Sequence, residues 1–137
     1  MNWYNPLIVV PAAAWLAAHL IKYGLATRHG NWHFRSFYSS GGMPSAHSAS
    51  VTALAVIALI EYGWESPFFG LAIVLATIVV YDSFGVRRAV GEQAAAIRAL
   101  LKSGMSLRQV AGHQPLEVVA GIGLGIVVAG LARLLSG

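Results

Sequence analysis

The sequence contains no cysteine and few charged residues. The absence of cysteine excludes disulfides and metal sites built on thiolates. Only 10% of the 137 residues are charged, whereas soluble domains usually carry about 25%. The chain therefore lacks the polar surface that a water-soluble domain needs, and its length predicts one domain spanning residues 1–137.

Hydrophobic residues make up 57% of the chain, and they are concentrated in four stretches. Each stretch approaches the length of about 20 residues that spans a bilayer. The stretches are residues 7–23, 44–60, 67–81 and 116–135. A short polar turn with Tyr62 and Trp64 separates the second from the third and predicts a helical hairpin. No basic region precedes the first stretch, so we expect a retained anchor rather than a cleaved signal peptide.

The polar segment 82–113 has its own helical periodicity. Its apolar residues recur at helical spacing, at Val90, Ala94, Ile97 and Leu101. The opposite face carries Arg88, Glu92 and Lys102. This pattern predicts an amphipathic helix on the membrane surface. The expected fold is an all-α integral membrane protein with about four transmembrane helices and one interfacial helix.

Alternation of the spans predicts that the two longer polar segments, residues 27–42 and 82–113, share one side of the membrane. That side carries nearly all the basic residues, which are Lys22, Arg28, Arg35, Arg87, Arg88, Arg98, Lys102 and Arg108. Arg133 lies on the other side. The excess of basic residues predicts a cytoplasmic face in a plasma or inner membrane, with both termini outside. In so apolar a chain, the net charge of +4 favours anionic lipid headgroups over nucleic acid as partners.

The first motif is Gly-Gly-Met-Pro-Ser-Ala-His-Ser at residues 41–48. Its glycines would let the backbone approach a ligand closely. Proline suits a first helical turn, so Pro44 is expected there. The Ser45 hydroxyl and the first-turn N–H groups, including that of Ala46, would then form an anion site. His47, one turn in, could donate a proton. The alternative is an ordinary helix cap followed by a histidine.

The second motif is Gly-His-Gln-Pro-Leu-Glu at residues 112–117. Pro115 again predicts a first helical turn, which puts Glu117 near the third helical position. A carboxylate there can accept the Nδ1–H of His113 and leave Nε2 to attack. The alternative is a capping carboxylate beside an interfacial histidine.

Cations complete this group of polar residues. Arg87 and Arg88 follow the third apolar stretch, and Lys22 ends the first. Each could simply anchor the chain in lipid headgroups. However, the predicted topology brings them to the same membrane face as His47 and His113. A nucleophile, an acid and several cations are what phosphoryl transfer requires.

These residues resemble the divergent branch of the type 2 phosphatidic acid phosphatases (PAP2), relatives of the vanadium haloperoxidases. Residues 44–47 read Pro-Ser-Ala-His where the family has Pro-Ser-Gly-His, and Glu117 stands where the family has an aspartate four residues after its last histidine. The resemblance extends from Lys22 to the C-terminus. It implies a PAP2-like core bundle and a metal-independent phosphatase that acts on a lipid phosphate without a cofactor.

The resemblance also implies a role for each matching residue. His113 would be the nucleophile that forms a phosphohistidine, oriented by Glu117, and His47 would protonate the leaving alcohol. The phosphate would be bound by Lys22, Ser45, the backbone at Ala46, and Arg87 or Arg88. Arg108 and Arg28 are weaker arginine candidates, because their spacings differ from the family pattern.

Two differences from the family pattern leave alternatives open for the assembly and the function of this protein. Familiar members have six membrane helices, so this chain is either a minimal core or completes its bundle as a homodimer. A small-residue stripe at Gly121, Gly125 and Ala129 suits close helix packing between copies or within one chain. Ala46 in place of glycine leaves a second function open: an inactive membrane scaffold or transport subunit that binds anionic lipid or phosphate.

Overall fold

A computed structural model of the chain describes residues 4–28, 42–84, 86–100 and 115–136. The regular secondary structure of these residues is α-helical: α1 (Pro6–Arg28), α2 (Ala46–Tyr62), α3 (Pro67–Phe84), α4 (Val86–Leu100) and α5 (Pro115–Ser136). By length and composition α1 and α5 could cross a membrane, whereas α2 and α3 are shorter apolar helices. The all-α fold is thereby confirmed, and four complete membrane spans stay a prediction.

Helix α2 is the central element and packs against α1, α3 and α5. One buried cluster joins α2 to α1 and α5, and another joins it to α3. The first consists mostly of alanines and contains Val10, Ala14, Ala18, Ala46, Ala49, Ala53, Ile57 and Ala129. Small side chains let helix backbones approach closely, which is how apolar helices gain contact energy where burial from water contributes little.

Helices α2 and α5 approach each other closely at two glycines. A Cβ atom at Gly121 would lie 2.5 Å from the carbonyl oxygen of Ser45, and one at Gly125 would lie 2.5 Å from that of Ala49. Such distances are far inside van der Waals contact, so a larger residue cannot occupy either position without moving α2. The predicted small-residue stripe is therefore used within one chain. The homodimer stays a prediction that must rest on other grounds.

The start of α2 differs from the prediction. Pro44 was expected in the first turn, but the helix begins at Ala46, and Ser45 is its N-cap with extended backbone angles. The Ser45 Oγ accepts the backbone N–H of Ser48 at 3.3 Å. Serine is a preferred N-cap because its side chain satisfies an amide that the helix leaves unpaired. The proline therefore precedes the helix.

The predicted hairpin between α2 and α3 is confirmed. Gly63, at a φ of 82°, donates its N–H to the carbonyl oxygen of Leu59 at 3.0 Å and ends α2. Glycine adopts this backbone conformation at little cost. The Ser66 Oγ accepts the N–H of Phe68 at 3.2 Å as α3 begins. The turn reverses the direction of the chain. The C-terminal end of α3 therefore lies at the same end of the bundle as the start of α2.

The helix predicted within residues 82–113 is confirmed as α4. Among the helices that the structure describes, α4 contacts α3 alone. On its apolar side Val90 and Ile97 are exposed, as is Leu100 near its end. The described part of the chain leaves this side uncovered, and its location at the membrane surface stays a prediction.

Candidate functional site

Two hydrogen bonds join the first sequence motif to the second at one end of the bundle. The Ser45 N–H donates to the main-chain carbonyl oxygen of Glu117 at 2.8 Å. The Gly42 N–H donates to the side-chain Oε1 of Glu117 at 3.2 Å. Glu117 is the third residue of α5, as predicted, because Pro115 begins that helix. The starts of α2 and α5 are therefore in direct contact.

Lys22 brings a third helix to this contact. It lies near the C-terminal end of α1 and is half-buried. Its ammonium group attracts the Glu117 carboxylate electrostatically. Such an attraction is stronger for a partly buried pair than for one fully exposed to water. The charges of Lys22 on α1 and Glu117 on α5 therefore interact across the two helices.

The Ser45 hydroxyl has structural partners of its own. Its side chain is fully buried, and its Oγ accepts from the Ser48 N–H at 3.3 Å and from the Ser48 hydroxyl at 3.0 Å. A serine hydroxyl has two acceptor sites and one donor. These bonds use the acceptor sites and leave the O–H as a donor, but the side chain is fully buried, so its contact with a phosphate stays a prediction.

His47 and Ala46 occupy the first turn of α2. The His47 side chain is exposed, whereas Ala46 is buried. First-turn amides have no acceptor within their own helix. Here the Ser45 side chain satisfies the amide of Ser48. The positive end of the helix dipole favours an anion at this position.

Other predicted site residues are described less completely. His113 and Arg108 lie outside the described residues. Arg28 is the last residue of α1, and Arg87 and Arg88 lie in the first turn of α4. The side chains of these three arginines also lie outside the described part. The roles predicted for all five residues stay predictions.

The sequence reasoning missed Gly42 as part of the site. Its φ of 93° lies in the region that favours glycine, and this conformation accompanies the bond from its N–H to Glu117. The glycine pair at residues 41 and 42 was a signal for close backbone approach, but the expected partner was a ligand. The structure shows a carboxylate of the same protein in that place.

A buried histidine in α1 was also missed. His19 is 8% exposed, its Nδ1 lies 2.9 Å from the carbonyl oxygen of Trp15, and the two rings are 4.0 Å apart. A carbonyl can only accept, so Nδ1 carries the hydrogen in this bond. It lies one turn before Lys22 on the same helix. In an apolar stretch of sequence, a buried histidine and an interfacial one look alike. Only the burial seen in the structure distinguishes them.

Within the described residues no group of three or more His, Asp or Glu side chains could hold a metal ion. The described site instead combines backbone amides, a hydroxyl, an imidazole, an ammonium group and a carboxylate. These groups can bind an oxyanion and transfer protons.

The family described as "Divergent PAP2 family" matches residues 3–128 of this sequence. The chain belongs to this divergent PAP2 family. It is also similar to the "Uncharacterized membrane protein YuiD" of Bacillus subtilis (strain 168), with 37% identity over 66% of this chain and 69% of that protein. No solved structure matches the chain. The family resemblance is thus confirmed, and the similarity to a membrane protein agrees with the two long apolar helices in indicating membrane association.

Proposed function

We propose that this divergent PAP2 protein is a multi-pass membrane enzyme that hydrolyses a phosphomonoester or diphosphate of a lipid through a phosphohistidine. The proposal is carried by one observation: Glu117 joins the starts of α2 and α5 by two hydrogen bonds and attracts Lys22 of α1. Two distant sequence motifs and a cation therefore converge at one end of an apolar bundle. A lipid phosphate placed there keeps its charge at the polar end and its chain beside apolar helices.

The proposed reaction has two steps. Nε2 of His113 attacks phosphorus, the bond from phosphorus to the lipid oxygen breaks, and His47 gives its proton to that oxygen. Water then attacks the phosphohistidine, His47 takes a proton from it, and inorganic phosphate leaves. The N–H groups of the first turn of α2, the Ser45 hydroxyl, Lys22 and Arg87 or Arg88 stabilise the charge on the phosphoryl oxygens.

Glu117 would serve this reaction in two ways. Its carboxylate has two oxygens with room for several donors. The bond from Gly42 uses one of these positions, and the Nδ1–H of His113 would use another. A single carboxylate would thereby orient the nucleophile and hold the loop that precedes the anion site.

The direct test measures phosphate release by the purified protein in detergent, with a chelator present. The substrates are phosphatidic acid, phosphatidylglycerol phosphate, and polyprenyl phosphate and diphosphate. We expect release from at least one of them, together with an acid-labile, base-stable phosphoprotein that is absent from the His113→Ala variant. An absolute requirement for added magnesium would contradict the mechanism.

A second candidate function is binding of anionic lipid or phosphate without turnover. It is favoured because two residues predicted for the site, the phosphate-binding Ser45 and the orienting Glu117, have structural roles: Ser45 caps α2, and Glu117 accepts a hydrogen bond from Gly42. Saturable binding of phosphatidic acid, with no phosphate release from any of the four lipids, would support this function over the phosphatase.

A further inference from the structure

An apolar groove lies between α2, α3 and α5. Its volume is about 540 Å³, which falls within the range of about 300–1,000 Å³ typical of ligand sites. Its lining consists mainly of aliphatic and aromatic side chains, together with two threonines. The lining residues include Thr52, Val56, Ile73, Thr77, Tyr81 and Ile126. Such a lining offers van der Waals contact along its length and little that could bind a polar ligand.

The groove begins next to the candidate site. On α2, Thr52 lies one turn beyond Ser48, the partner of the Ser45 hydroxyl. On α5, Ile122 lies about one turn beyond Glu117. On these two helices the groove therefore starts roughly one and a half to two helical turns from the contact between Ser45 and Glu117, and it leads away from that contact along α3.

The length of the groove matches one leaflet of a membrane. Its lining on α3 runs from Tyr81, at the end near the site, to Phe69. At 1.5 Å per residue this distance is about 18 Å. One leaflet contributes about 15 Å of hydrocarbon, half of the roughly 30 Å core. A single extended lipid chain would therefore lie along the whole groove while its headgroup stays at the polar end.

We propose that this groove binds one hydrocarbon chain of the phosphorylated lipid and thereby positions its phosphate at the start of α2. The identity of this lipid as a substrate rests on the proposed function. In a membrane the chain gains little from leaving bulk lipid, so the groove acts mainly by orientation. Orientation matters because a displacement of about 1 Å at a reacting centre can lower the rate about 100-fold.

Matched tryptophan variants can block the groove without disturbing the core. Ile73 lines the groove, and its neighbour Val74 does not, yet both are exposed, at 43% and 58%. On α5, Ile126 and Val127 form a similar pair at 50% and 56%. Ile73→Trp and Ile126→Trp should fill the groove, while Val74→Trp and Val127→Trp place the same ring outside it.

The first arm of the test compares three substrates of different chain length: dioleoyl phosphatidic acid, dihexanoyl phosphatidic acid and p-nitrophenyl phosphate. Ile73 lies about 12 Å along the helix from Tyr81, beyond the reach of the shorter chains. We expect Ile73→Trp and Ile126→Trp to lower kcat/KM for the dioleoyl lipid by about tenfold or more. The other two substrates, and both control variants, should change less than about twofold. Equal losses in groove and control variants, or none, would overturn the inference and leave the phosphatase proposal intact.

The second arm does not depend on turnover. Dioleoyl-like phosphatidic acid with a diazirine near the middle of one chain is photo-cross-linked to the protein in vesicles, and the labelled peptides are identified. We expect labelling around Ile73 and Ile126, competed by excess phosphatidic acid but not by diacylglycerol, and lost in the two groove variants. Labelling that excess phosphatidic acid does not reduce would mean that the groove is occupied by bulk lipid only. That result would overturn the inference. Competed labelling without phosphate release would uphold the groove and reject the phosphatase.

Discussion

Glu117 is the residue of α5 that links the described parts of the site. Its main-chain oxygen accepts from Ser45, its carboxylate accepts from Gly42, and its charge attracts Lys22. The side-chain contacts can be separated by substitution, because an amide retains hydrogen-bond acceptance but loses the charge. Structural and catalytic roles of this residue are therefore distinguishable.

Glu117→Gln should keep the fold and lose activity. Its amide oxygen can still accept from Gly42, so we expect thermal unfolding in detergent close to that of the wild type. The loss of the charge that orients His113 and attracts Lys22 should lower turnover of p-nitrophenyl phosphate by about 100-fold or more. Glu117→Ala should also destabilise the protein by about 1–3 kcal/mol, because the Gly42 amide loses its acceptor. Equal stability of the two variants would show that the bond to Gly42 contributes nothing.

The two predicted catalytic histidines should differ in their dependence on the leaving group. His113→Ala should abolish hydrolysis of every substrate, since no covalent intermediate can form. His47→Ala should lower hydrolysis of a lipid phosphate by about 10²–10⁴-fold, the usual range for a general acid, and spare much more of the reaction with p-nitrophenyl phosphate. Phenolate leaves without a proton, whereas a lipid alkoxide does not. Identical behaviour of the two variants on both substrates would refute the assigned roles.

Among the helices, the pair α2 and α5 determines the geometry of the site. Gly121 lies against Ser45, and Gly125 lies one turn further against Ala49. Gly121 is also one turn beyond Glu117 in α5, so the same close approach brings Ser45 within hydrogen-bond distance of Glu117. The packing of two apolar helices thus sets the position of the first turn of α2.

Alanine at these glycines should disturb both packing and site. We expect Gly121→Ala and Gly125→Ala to lower the stability of the protein by about 1–3 kcal/mol through overpacking. Gly123→Ala is the matched control, because nothing lies within 4 Å of a Cβ atom at that position. Its stability should equal or exceed that of the wild type, since alanine favours the helix. Thermal unfolding in detergent compares the variants, and a similar loss in all three would argue against the close contact.

The sequence predicted the helices well and their contacts poorly. The third apolar stretch begins at Pro67 and the last helix at Pro115, as hydropathy and proline placement indicate. Pro44 was placed inside α2 because a proline before a cap and a proline in a first turn leave similar sequence patterns. The bond from Gly42 to Glu117 was missed because spacing shows which residues reach one end of the bundle, but not which atoms meet there after packing.

For the whole molecule, the contacts of the candidate site lie at the end of the bundle where α2 and α5 begin. The opposite end has the aromatic turn between α2 and α3, with Trp64 and Phe69 rings 5.1 Å apart. Aromatic side chains of this kind favour a membrane interface. The two ends therefore suit opposite faces of a bilayer, and the basic residues predict that the site faces the cytoplasm.

Cysteine labelling can test this orientation without background, since the natural sequence has no cysteine. Ser40→Cys precedes the start of α2, and Ser136→Cys lies at the end of α5. With an impermeant maleimide on intact cells, we expect label at position 136 and none at position 40 until the cells are opened. The reverse pattern would place the site on the outer face and require a substrate there.

The bond from Gly42 to Glu117 joins residues 75 positions apart, and this separation has a consequence for biosynthesis. At about 5–20 residues per second, the ribosome needs roughly 4–15 s to make the intervening chain. During that interval α2 has neither the carbonyl nor the carboxylate that position its first turn. The contact between the two motifs therefore forms only when the last helix joins the others, so a nascent chain that stops before α5 holds all the cations predicted for the site and lacks this contact.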